Sequence, residues 1–146
     1  MSAIEIVGRI LTDRAPAPAG HYSQATVAGG HVYISGQLPI RPDGMVLPEA
    51  GFDAQATQAL ENVLAILAAA GGTPQHLARV TAYIVGVDNW PRFNAIYAAM
   101  LPDARPARTV VPVPELHYGF LVEIDAIAIL GGGKQYEAAA FRNQDV

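Results

Sequence analysis

The chain has 146 residues, 51% of them hydrophobic and only 15% charged, with a formal net charge of −4 and no cysteine. That length accommodates one domain with a sizeable core, and the missing cysteines rule out disulfides, thiolate nucleophiles and cysteine-type zinc sites. Eight of the nine basic residues are Arg and they form no run, so the electrostatic footprint of a nucleic-acid binder is missing.

In chain order, residues 3–11 alternate loosely and read as a first strand. Residues 14–20, with Pro16 and Pro18, form an extended connector. Residues 22–28 and 31–35 flank Gly29-Gly30, a two-residue hairpin signal that favours a primed turn. Arg41-Pro42-Asp43-Gly44 reads as a turn. Asp53 is a candidate N-cap for a helix running to about Ala70, with Ala56, Leu60, Val63, Leu64 and Leu67 as its apolar stripe and Gly71-Gly72 past its end. A strand follows at 79–86. Asp88 is placed to cap a second helix through Pro91, with Phe93, Ile96, Tyr97 and Met100 facing a core and Pro102 stopping it. Two further strands fall near 107–113 and 120–130.

From the hairpin onward this order is β-β-α-β-α-β-β. It implies one α+β domain, a single mixed sheet with both helices on one face through right-handed crossovers. The opposite sheet face is then bare unless a neighbour covers it. Soluble domains average about 25% charged residues, so the low charge points the same way, to a homo-oligomer. Residues 1–130 are expected to form the domain and 131–146 a Gly-rich tail carrying Lys134, the single Lys, whose position there counts against Schiff-base chemistry. The N-terminus lacks a basic segment followed by a long apolar core, and the apolar run at 63–70 is too short to span a bilayer. The expectation is a cytoplasmic protein that engages neither membrane nor nucleic acid.

Two charged residues stand in apolar, strand-like sequence: Arg108 and Glu123. By themselves they read first as a surface Arg at a strand start and an acid on the wet face of a sheet. The functional alternative is a planar guanidinium fork that grips a carboxylate with two parallel hydrogen bonds, beside an acid able to hold or move a proton. The four His are scattered singly, with no i,i+4 pair to suggest a metal site; His31 and His76 read as structural or solvent-facing, and His21 and His117 as surface-loop residues.

Several pieces recur in the order and spacing of a known family: Gly20-His21-Tyr22-Ser23-Gln24, Ser35-Gly36-Gln37-Leu38-Pro39, Leu60-Glu61-Asn62-Val63, Phe93-Asn94-Ala95-Ile96-Tyr97, Pro106-Ala107-Arg108-Thr109 and 122–128. From about Ala15 to Leu130 the chain resembles the Rid family of imine/enamine deaminases, also called the YjgF or L-PSP endoribonuclease family. The resemblance implies a YjgF-like (chorismate-mutase-like) fold and a homotrimer with ligand clefts between subunits. It also implies hydrolysis of 2-imino acids or their enamine tautomers to 2-oxo acids and ammonia, without metal or organic cofactor. On this resemblance Arg108 binds the substrate carboxylate, Glu123 handles water, and Tyr22, Ser35, Gly36 and Asn94 line the pocket. Tyr22 is as consistent with packing the hairpin, Asn94 with a helix-face hydrogen bond, and Ser35 with satisfying a strand end.

The chain departs from the family pattern in three places. Val110 stands where many deaminase members have Cys, His21 where many have Pro, and Leu116-His117-Tyr118-Gly119 where Leu-Pro is frequent. Val110 and His117 are therefore candidate substrate-shaping residues. These departures also motivate two alternatives, a non-catalytic carboxylate binder and a deaminase with a bulkier substrate. A ribonuclease, which the family's older name suggests, fits poorly with the acidic charge and the near absence of Lys.

Overall fold

The computed structural model describes residues 6–46 and 49–131, so the expected tail, with Lys134, lies outside the described residues save for Gly131. The described residues form one six-stranded mixed sheet in the order β1-β2-β3-β6-β4-β5. The strands are β1 Gly8–Ile10, β2 Ala25–Ala28, β3 His31–Gln37, β4 Leu77–Val85, β5 Ala107–Val113 and β6 Val122–Ile129. Helices α1 Phe52–Ala69 and α2 Trp90–Met100 supply the crossovers from β3 to β4 and from β4 to β5. β4 and β5 run parallel, and every other neighbouring pair is antiparallel.

Gly29 (φ 55) and Gly30 (φ 77) both take the left-handed backbone that a primed hairpin turn requires, and β2 and β3 close around them with Ala28 opposite His31. The Arg41–Gly44 turn also forms, with the Gly44 N–H donating to the Arg41 carbonyl at 2.8 Å. Both expected caps are corrected. α1 starts at Phe52 behind Gly51, and Asp53 sits inside the first turn. There its carboxylate accepts from Arg92 of α2 at 2.8 Å, where the positive end of the helix dipole also favours it. Asp88 lies within a 3₁₀ turn, Val87–Asn89, that Gly86 (φ 87) initiates, and α2 begins only after Asn89. Of the expected first strand, residues 3–5 lie outside the described residues; among those described, Gly8–Ile10 pairs with β2.

One core fills the space between the sheet and the two helices. Leu60, Val63, Ile66 and Leu67 of α1 and Phe93 of α2 pack with Val32 and Ile34 of β3, Val80, Ala82 and Ile84 of β4, and Val122, Ile124, Ala126 and Ala128 of β6. Every second residue of these strands faces the helices. The remaining residues face outward, among them Tyr33 and Ile129, each more than 40% exposed. This is the bare face anticipated from the element order.

Register decides which face each charged residue takes. Arg108 pairs with Val80, and Glu123 pairs with Tyr83, three residues along the same strand. An odd step along an unbulged strand reverses the side chain. Arg108 therefore lies on the helix side of the sheet and Glu123 on the open side. On β3 a bulge sets Ser35 and Gly36 against the single residue Asp125, because Ile34 pairs with Ala126 and Gln37 with Ile124.

A candidate site in two halves

On the helix side, Arg108 rises from edge strand β5 against α2. Its Nη1 donates to Asn94 Oδ1 at 3.0 Å, and its guanidinium carbon lies 4.9 Å from the centre of the Tyr97 ring and 5.9 Å from that of Phe93. Aromatic faces attract the cation and hold the fork flat. With one amino group committed to Asn94, the other donors are available to an anion. A cleft of about 440 Å³ opens here, lined by Asn94, Tyr97, Leu101, Arg105, Pro106 and Arg108. The Tyr97 hydroxyl is buried with no hydrogen-bond partner, and burial pushes its pKa up to about 12 against the pull of Arg108.

On the open side, Glu123 faces a larger cleft of about 660 Å³ that Tyr22, Ser35, Gly36 and Tyr118 also line. Burial raises the Glu123 pKa above the usual carboxylate range and neighbouring Asp125 raises it further, while His117 works in the opposite direction. Such a group exchanges a proton more readily near neutral pH than an exposed Glu does. Gly36 makes its position possible: a β-carbon at residue 36 would lie 2.5 Å from Glu123 Oε1. The absence of a side chain there is thus explained by the acid opposite it.

Two buried amides that sequence reading overlooked hold the cleft walls. Gln24 bonds to the backbone of Thr12 and Pro16, and Asn62 of α1 donates to the carbonyls of Leu38 (3.2 Å) and Ile40 (2.9 Å). Both stand in the recurring motifs without an assigned role, and such an amide is buried only when its hydrogen bonds are met.

The predicted site residues thus fall into two groups. Tyr22, Ser35, Gly36 and Glu123 meet on the open side, and Asn94 and Arg108 meet on the helix side. The Ser35 hydroxyl donates to the Ser23 carbonyl at 2.6 Å, so in this arrangement it clamps the cleft floor. His117 is exposed and reaches the cleft through its ring contact with Tyr118 (centroids 3.7 Å apart). Val110 is buried in the core beneath the helices and lines neither cleft. His21 lies exposed beside a separate surface hollow with Arg9 and Thr26. Among the described residues no three His, Asp or Glu side chains converge to hold a metal ion, and no helix is long and apolar enough to cross a membrane.

Comparison with known proteins places the chain in a family. The chain is 40% identical over 119 residues to a RutC family protein of Pyrococcus horikoshii, spanning 82% of this chain and 94% of that one. It is 35% identical over 122 residues to the 2-iminobutanoate/2-iminopropanoate deaminase of Rattus norvegicus, spanning 84% of this chain and 89% of that one. The crystal structure of Escherichia coli TdcF with bound serine superposes with a TM-score of 0.77 at 34% identity, covering 83% of this chain and 97% of that one. With the endoribonuclease L-PSP family model matching residues 12–130, this chain belongs to that family, known also as the Rid or YjgF family.

Proposed function

We propose that this protein is a cytoplasmic hydrolase that converts reactive 2-imino acids, or their enamine tautomers, to 2-oxo acids and ammonia, at sites between the subunits of a homotrimer. The observation that carries this reading is the Arg108 fork, fixed by Asn94 and Tyr97 with donors left over for an anion. The activity of the rat relative and the serine bound to TdcF support a substrate with a carboxylate. Arg108 and Glu123 lie on opposite sheet faces, so a site that uses both must draw on two copies. The half-exposed apolar residues of the open face offer a surface on which copies can meet.

In the reaction, Arg108 grips the substrate carboxylate and holds the imine carbon still, which contributes orientation. Glu123 of a neighbouring copy accepts a proton from water as the oxygen bonds to the imine carbon and the C=N π pair moves onto nitrogen, and it passes that proton to the nitrogen to give a neutral carbinolamine. Glu123 then takes the carbinolamine's hydroxyl proton as the C=O bond forms and the C–N bond breaks, and delivers it to the nitrogen, which departs as ammonia. General acid–base assistance of this kind is worth roughly 10²–10⁴-fold. Arg108, Glu123 and water suffice, with no metal or cofactor in the scheme.

The test is ammonia release from iminopropanoate and iminobutanoate generated in situ by an amino-acid oxidase. Arg108→Ala and Glu123→Gln proteins are each expected to be inactive. Their subunits, mixed and reassembled, should recover about a quarter of the wild-type rate, because about one seam in four then joins two intact halves. Equal rates for wild type and Arg108→Ala would refute the function. Inactive hybrids that have demonstrably exchanged subunits would refute the shared site.

A further inference from the structure

Tyr118 is the one non-glycine residue, among those described, whose backbone is left-handed (φ 61, ψ 12). Gly119 follows at φ 74, so the chain between β5 and β6 reverses through two consecutive residues of that kind. Glycine would take this conformation at 118 without strain, and a tyrosine there is strained. An outlier of this sort directs attention to what its side chain does.

The ring is half exposed, yet it is held in place. His117 lies tilted against it at 3.7 Å between centroids, and Phe120, itself buried, meets it edge-on at 6.0 Å. Thus fixed, Tyr118 lines the same cleft as Glu123, and half-exposed Tyr22 lines it as well. Leu38, Ile40 and Val46 add an apolar stretch of wall, and Asn62 pins the backbone of the first two. Two aromatic rings and an aliphatic wall, held open beside a carboxylate, are surplus to a substrate whose side chain is one methyl group. The cleft's volume of about 660 Å³ falls in the range of roughly 300–1,000 Å³ that houses ligands far larger than a three-carbon imino acid.

From this we infer that Tyr118 is a specificity-determining residue that selects 2-imino acids with a large apolar side chain, branched aliphatic or aromatic, by packing that side chain against its ring. The inference rests on the deaminase reading and adds the substrate class to it. Glycine at 118 would relieve the strain but would lose the ring. The ring is retained for what it contacts.

The experiment compares wild type, Tyr118→Gly and Tyr118→Phe. Glycine suits the left-handed backbone, so the first variant keeps the fold, and the second keeps the ring. Imines are formed in situ from alanine, leucine and phenylalanine by an amino-acid oxidase. Wild type should favour the leucine or phenylalanine imine over the alanine imine in kcat/KM. Tyr118→Gly should lower that ratio about tenfold, within the range that apolar pocket contacts supply. Tyr118→Phe should preserve it. A second readout needs no turnover: thermal stabilisation by 4-methyl-2-oxopentanoate should exceed that by pyruvate in wild type and not in Tyr118→Gly. An unchanged ratio and unchanged shifts in Tyr118→Gly, with the alanine imine still hydrolysed, would overturn this inference and leave the deaminase reading intact. No turnover of any imine, with a Tyr118-dependent preference for the larger oxo acid, would overturn the deaminase reading and uphold side-chain selection.

Discussion

Replacing Gly36 by Ala tests the geometry at Glu123 with a single methyl group. The new β-carbon would sit 2.5 Å from Oε1, 3.3 Å from the carboxyl carbon and 3.5 Å from Cγ of Glu123. Ordinary contact begins at 3.4 Å, so the carboxylate head must retreat by about 0.9 Å while the stem stays where it is. A misplacement of about 1 Å at a reacting group costs on the order of 10²-fold in rate, about 2.7 kcal/mol of transition-state stabilisation. The backbone at 36 is not left-handed, so Ala is tolerated there and folding should be little affected. The loss of unfolded-chain freedom that Ala brings, worth about 0.4–1 kcal/mol, works against the crowding. The expected result is a fall of about 10² in kcat/KM for ammonia release, with Tm within a few degrees of wild type. A double-mutant cycle sharpens this: Gly36→Ala added to Glu123→Gln should cost almost nothing further, since both act through one carboxylate. If Gly36→Ala turned over imines within twofold of wild type, or if the two losses simply added, the assignment of Glu123 as the reacting acid would be wrong.

Arg108→Lys should lose about 10–10²-fold in kcat/KM, because a point charge replaces a fork whose charged hydrogen bonds contribute about 1.5–3 kcal/mol; near-native turnover would argue against carboxylate gripping. Glu123→Gln should raise Tm at pH 7. A carboxylate whose pKa is raised by folding is penalised when ionised, so its stability contribution is present below the unfolded value and lost as pH rises through the folded one. The gain should therefore vanish below roughly pH 4, where a free Glu is protonated anyway; a gain that persists there would point to packing instead. Tyr97→Phe removes a buried hydroxyl without a partner and should stabilise the fold by about 1 kcal/mol in denaturant unfolding, whereas a loss would reveal a partner for that oxygen. Ile127→Asp places a charge on the half-buried open face, opposite Tyr33, and should shift the assembly to monomer in sedimentation; an unchanged oligomer would mean that copies meet elsewhere.

Much of the architecture is legible locally. Gly29-Gly30 announces a primed turn because only such residues take positive φ cheaply, and the α1 stripe of Leu60, Val63 and Leu67 follows the helical period straight into the core. The caps were less legible. An Asp near a helix start has several uses, and Asp53 is drawn to Arg92, a partner 39 residues away in sequence. The left-handed Tyr118 was invisible for the opposite reason, since local preference argues against a tyrosine there and only the tertiary structure shows its ring held by His117 and Phe120 at the cleft.

Alternation within 107–113 and 122–129 reveals by itself that Arg108 and Glu123 each stand on one defined face of a strand, and the residue types reveal what chemistry each can do. Whether those faces are the same is beyond any local pattern. A shift of one residue in the pairing of β6 with β4 would have put the guanidinium and the carboxylate on the same face of the sheet. The register that forms, Val80 with Arg108 and Tyr83 with Glu123, sets them on opposite sides of the sheet and so divides the candidate site into two halves within one chain.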